Sequence, residues 1–97
     1  MFRDFFLGFI KIHILHHASK EPIFGTGIME EIRSHGYKVS PGLIYPTLSN
    51  LERRGLILSE KRVINGKARK YYTITDQGRG VLAEAKEKIR ELVEEVM

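Results

Sequence analysis

Ser40-Pro41-Gly42-Leu43-Ile44-Tyr45-Pro46-Thr47-Leu48-Ser49-Asn50-Leu51-Glu52-Arg53-Arg54-Gly55 decides how this chain reads, because it holds both boundaries of one helix. Ser40 fits the N-cap, and Pro41 fits the first helical position, where its missing N–H costs nothing. Arg53 and Arg54 fall in the last turn, favourable to the negative end of the helix dipole, and Gly55 supplies the stop. Pro46 is discordant: inside a helix it removes one backbone hydrogen bond and bends the first turns. Projected at about 100° per residue, Ile44, Leu48 and Leu51 fall within about 60° of one another and face a core. The opposite side holds Gly42, Tyr45, Pro46, Ser49, Asn50 and Arg53, with no acid and no bulky aliphatic residue. An ordinary solvated face carries Glu and Lys for helix support. Here Tyr45, Ser49 and Asn50 suit phosphates or base edges, and Arg53 suits a phosphate or a guanine. Gly42 permits close backbone approach, and Ser40 with the amides behind it forms a phosphate site.

A shorter helix is expected before this one, starting at Thr26 or Gly27 and running to Ser34, with Ile28 and Ile32 inward and Gly36 closing it. Two strands are expected after it, over about 56–64 and 67–75, around Asn65-Gly66, a strong tight-hairpin signal. A two-residue turn pairs Ile64 with Lys67, Arg62 with Arg69 and Glu60 with Tyr71 on one face. On the other it pairs Lys61 with Lys70, Ser59 with Tyr72 and Ile57 with Ile74. The distal half thus carries Lys61, Arg62, Lys67, Arg69 and Lys70. Like charges placed opposite each other cost stability, and a phosphate backbone would offset that cost. Two helices joined by a short turn, then a basic hairpin, make a winged helix-turn-helix: mainly α with a small β-hairpin.

The flanking helices point to a second copy of the chain. In the first, over about 2–18, Phe6, Leu7, Ile10 and Ile14 form one apolar stripe and Phe5, Phe9 and Ile12 another. One stripe faces the core; the other is assigned to a partner subunit. Thr75 caps a last helix starting at Asp76, in which Leu82, Ala85, Ile89, Leu92 and Val96 recur at coiled-coil spacing, with Val81 and Val93 beside them. At about 30 Å this helix is longer than the domain needs. The expected organisation is a DNA-binding domain over 1–75, whose first helix also enters the dimer interface, and a carboxy-terminal dimerisation helix over 76–97.

Composition agrees. The 97 residues suffice for one domain. Residues 1–75 hold 12 Lys+Arg against 6 Asp+Glu, whereas residues 76–97 hold 4 against 6, so the basic part is separate from the acidic tail. That asymmetry suggests a polyanion for the first part and another role for the second. The absence of cysteine removes disulfides and thiolate metal sites and fits a cytoplasmic protein. The apolar leading stretch has no small-residue cleavage site and is too short and interrupted to span a bilayer, so no membrane partner is expected. No motif sets a nucleophile beside a base, and no phosphate-cradling glycine-rich loop is present, so no enzyme and no cofactor are expected. Two rival readings remain. His13 and His17, one turn apart, could chelate a metal in a winged-helix sensor, although no carboxylate lies one turn away on that face. A winged helix used only for protein contacts would need neither the acid-free face nor the like-charged hairpin.

The run Gly42-Leu43-Ile44-Tyr45-Pro46-Thr47-Leu48, then Leu51-Glu52-Arg53-Arg54-Gly55-Leu56-Ile57, then Arg69-Lys70-Tyr71-Tyr72-Thr73-Ile74-Thr75 and Gly78, resembles the PadR family of transcriptional regulators. The resemblance spans nearly the whole chain and accounts for Pro46. It implies a winged-helix homodimer on double-stranded DNA that usually represses, with a small-molecule effector sometimes bound at the dimer interface. Thr26, in Phe24-Gly25-Thr26-Gly27-Ile28, stands where the family commonly has tyrosine. With a single carboxy-terminal helix, the chain resembles the family's short branch.

Overall fold

The hairpin pairs in the register that Asn65-Gly66 dictates. In the computed structural model, which describes residues 2–97, strands β2 (Ile57–Ile64) and β3 (Lys67–Ile74) are antiparallel, with Ile64 opposite Lys67 and Ile57 opposite Ile74. Asn65 and Gly66 both have positive φ, 54° and 76°, as a two-residue turn of this twist requires. The remaining elements are α1 (Phe2–Lys20), β1 (Ile23–Phe24), α2 (Gly25–Ser34), α3 (Pro41–Arg53) and α4 (Asp76–Val96). Strand β1 was not expected. It adds to β3, Phe24 opposite Tyr71, to complete a three-stranded sheet of order β1-β3-β2. Helix α2 follows at once, so it starts at Gly25 rather than at Thr26 or Gly27. Gly36, at φ 89°, closes it.

The core lies where the helices meet the sheet. Ile10 and Ile14 of α1, Ile28 and Ile32 of α2, Ile44, Leu48 and Leu51 of α3, and Ile57 and Tyr72 of the hairpin base are all buried. Each such aliphatic side chain contributes ~1.5–3 kcal/mol of hydrophobic stabilisation. Helix α3 continues through Pro46, and the Thr47 hydroxyl donates to the Leu43 carbonyl at 2.7 Å beside the interruption. The Ser40 hydroxyl makes no capping bond. The Leu43 and Ile44 amides both donate to the Ser40 carbonyl at 3.0 Å instead, which tightens the first turn.

Helix α4 is fixed at its start. The Thr75 hydroxyl accepts from the Gly78 amide at 2.9 Å and donates to the Gly55 carbonyl at 2.6 Å. Gly78 presses on the chain leaving α3 so closely that a Cβ there would sit 2.1 Å from the Leu56 carbonyl oxygen. Its first turns pack on α1, and the Arg79 guanidinium reaches the Ser19 carbonyl at 3.5 Å. This packing covers two of the positions expected at the interface, one fully and one in part. Leu82 is buried in the chain's own core, and Ile12 is half-buried against the same cluster. Beyond Ala85, which is half-buried, every residue of α4 is exposed, including Ile89, Leu92 and Val96. Phe5, its ring edge-on to half-buried Phe9, is exposed on α1. Among the described residues, no helix is long and apolar enough to cross a membrane.

Candidate nucleic-acid interface

Core packing through Ile44, Leu48 and Leu51 turns the other side of α3 outward. Ser40, Gly42, Tyr45, Pro46, Ser49 and Arg53 are all exposed. Pro41 has no N–H, and those of Leu43 and Ile44 are used, which leaves the Gly42 amide and the Ser40 hydroxyl at the positive end of the helix. Tyr45 rests against the start of α2, where a Cβ on Gly25 would lie 2.4 Å from its ring. The absence of a side chain at Gly25 therefore sets the direction of the tyrosine. Thr26, Tyr45, Ser49, Arg69 and Lys70 line one groove, which joins the two helices of the motif to the hairpin.

Asn50 departs from this arrangement. It lies on the α1 flank of α3, half-buried, and lines a depression with Leu7 and Lys11. Its Oδ1 is buried without a hydrogen-bond partner. A helical projection puts Asn50 at the edge of the outward arc, and the packing of α1 covers that edge. Arg3 and Lys11 line the same depression, so the basic surface extends beyond the residues the sequence singled out.

The wing holds its charges on an aromatic face. The Arg69 guanidinium sits 4.4 Å from the Phe24 ring centre, and that of Arg62 sits 5.7 Å from Tyr71. The two rings meet edge to face at 5.5 Å. Cation–π attraction of about 0.5–1 kcal/mol at each of these half-buried sites partly offsets the repulsion between the opposed arginines. Glu60 adds an ion pair to Arg62 at 3.2 Å. Phe24 has this role because β1 adds to β3, which is why the sequence did not reveal it. Lys61 and Lys67 project from the distal hairpin, both exposed, among exposed Val63 and Ile64. Lys70 sits nearer the base, 3.7 Å from Glu52 of α3. Glu52 also accepts from the Ser59 hydroxyl, so the one carboxylate on α3 faces the sheet and is neutralised there.

The molecule thus presents an acid-free helix face beside a cationic hairpin. Regions 14–84 match the family model described as the transcriptional regulator PadR-like family. The chain is 44% identical over 95 residues to transcriptional regulator Rv3488 of Mycobacterium tuberculosis, a match covering 98% of this chain and 89% of that one. A solved PadR-like transcriptional regulator from Bacillus cereus superposes with a TM-score of 0.86 at 33% identity, over 92% of this chain and 88% of that one. A PadR-like transcription factor from Bacteroides fragilis gives 0.84 at 28%, over 97% and 92%. Sequence, fold and surface agree: this chain belongs to the PadR-like family of transcriptional regulators, which are non-enzymatic, DNA-binding proteins.

Proposed function

We propose that the chain is a homodimeric repressor that recognises a specific double-stranded operator in the cytoplasm. Helix α3 enters the major groove, and Tyr45, Ser49 and Arg53 meet base edges and phosphates. The wing lies along the backbone, with Lys61, Arg62, Lys67 and Arg69 against phosphates and Lys70 at its base. The single observation that carries this reading is the acid-free outward strip of α3 sharing a groove with the cationic hairpin.

Dimerisation is supported by the exposed apolar positions of α4 past Ala85 and by Phe5 on α1. Pairing these surfaces leaves α3 and the wing free. Twofold symmetry would then set two recognition helices about 34 Å apart, one duplex turn, and require inverted half-sites. Repression needs nothing beyond occupancy of such a site. The test is selection of bound fragments from random DNA, followed by a reporter driven through the selected site. Recovery of an inverted repeat, and reporter output that rises when the protein is removed, are expected. Enrichment of no sequence would overturn the reading.

A further inference from the structure

His13 and His17 of α1 acquire partners that sequence spacing does not reveal. His35, which ends α2, brings its ring to 5.0 Å from that of His13, while His13 and His17 lie 6.3 Å apart with planes only 9° from parallel. The donor atoms of all three imidazoles lie within 4.8 Å of one another. Glu31, one turn before His35, adds a carboxylate: its Oε1 is 3.7 Å from His17 Nε2 and 3.5 Å from His35 Nε2. Three nitrogens therefore converge from two helices, with a carboxylate oxygen beside two of them.

We propose that His13, His17, His35 and Glu31 bind one divalent transition-metal ion of the zinc class. The i, i+4 histidine pair on α1 has the spacing that helical zinc motifs use to chelate from one face. Three imidazoles with one carboxylate make a four-coordinate set for a borderline ion. A single carboxylate is too little oxygen for calcium, and the set has no sulfur to favour copper(I). With Zn–N at about 2.0–2.1 Å, a tetrahedral ion needs its donors roughly 3.3 Å apart. The cluster must contract by about 1.5 Å, a movement within reach of imidazole rotation, since His35 is exposed at a helix end. An ion here would tie the first helix of the DNA-binding motif to the helix that carries Phe5.

The test uses the full chain, free of any affinity tag and stripped with EDTA, titrated with Zn2+ against a chromophoric chelator. One Zn2+ per chain is expected. His35→Gln and His13→Gln are each expected to weaken binding at least about 100-fold, the upper end of what loss of a supporting partner costs. His16→Gln, next to His17 but outside the cluster, is expected to bind as the parent does. Co2+ in place of Zn2+ should give the visible absorption of a tetrahedral site in the parent and not in His35→Gln. Zn2+ should raise the melting temperature of the parent and leave that of His35→Gln unchanged. Because His35 is exposed, that variant folds whether or not His13→Gln does. A parent that binds no Zn2+, or a His16→Gln loss equal to that of His35→Gln, overturns the proposal and leaves the histidines as an aromatic patch against Tyr37.

Discussion

Leu92 is 51% exposed in the single chain. Full burial of a leucine side chain is worth ~1.5–3 kcal/mol, so covering this half in a dimer is worth about 1 kcal/mol per copy. Twofold symmetry doubles the effect, and Leu92→Ala is expected to cost about 2 kcal/mol of association, or roughly 30-fold in the dimer dissociation constant. Ile89, Val93 and Val96, exposed by 36%, 49% and 66%, contribute on the same scale. The whole α4 seam of both chains then reaches about 8 kcal/mol, within the range that association itself costs. Phe5 must add to it, and no single contact is in surplus. Leu92→Glu removes the leucine and buries a carboxylate, at several kcal/mol per ion, and is expected to leave only monomer at micromolar concentration. Sedimentation velocity reads this directly. Far-UV circular dichroism should be unchanged, because Leu92 lies outside the chain's own core. Leu82→Ala should behave in the opposite way, losing about 2–5 kcal/mol of folding stability, because Leu82 is buried within the chain. A Leu92→Glu protein that still sediments as a dimer, or a parent that is monomeric at micromolar concentration, refutes the reasoning.

Tyr45→Ala and Arg53→Ala should each weaken specific DNA binding by roughly 1–3 kcal/mol in a gel-shift titration, with thermal unfolding unchanged. Gly25→Ala should turn Tyr45 out of place and lower DNA affinity, and added to Tyr45→Ala it should cost little more; full additivity would separate the two residues. Replacing Lys67 and Arg69 with glutamine should lower the slope of log affinity against log salt by about 1 for each lost phosphate contact, and an unchanged slope would place the wing away from DNA. Zn2+ removal should lower the melting temperature of the parent but not that of His35→Gln, a difference that scanning calorimetry resolves.

Elements specified by local chemistry were legible in the sequence. Asn65-Gly66 set the hairpin register to the residue, and Ile44, Leu48 and Leu51 marked the buried side of α3. What escaped depends on packing between distant segments. Ile23-Phe24 is too short to show a strand period, and becomes a strand only because β3 offers a free edge. Asn50 lies at the margin of an arc that a projection draws without knowing where α1 runs. Leu82 shares its spacing with Ile89 and Leu92, and periodicity does not say where along a helix the domain's own surface ends. The pair His13 and His17 was visible on one helix, whereas His35 and Glu31 reach it from another.

The joint at Thr75 and Gly78 has a mechanical consequence. Thr75 is bonded to the Gly55 carbonyl at the end of α3, and Gly78 lies flush on the Leu56 carbonyl. Helix α4 therefore behaves as a lever whose short end is welded to the base of α3. Over its length of about 30 Å, a tilt of roughly 10° at the far end corresponds to a displacement of about 5 Å, a sizeable fraction of a helical turn of DNA. In the proposed dimer, two such arms crossing would form a caliper, and the gap between its tips would be set by how the arms cross. Anything that alters their crossing, without touching DNA, would change which operator spacing the pair can grip.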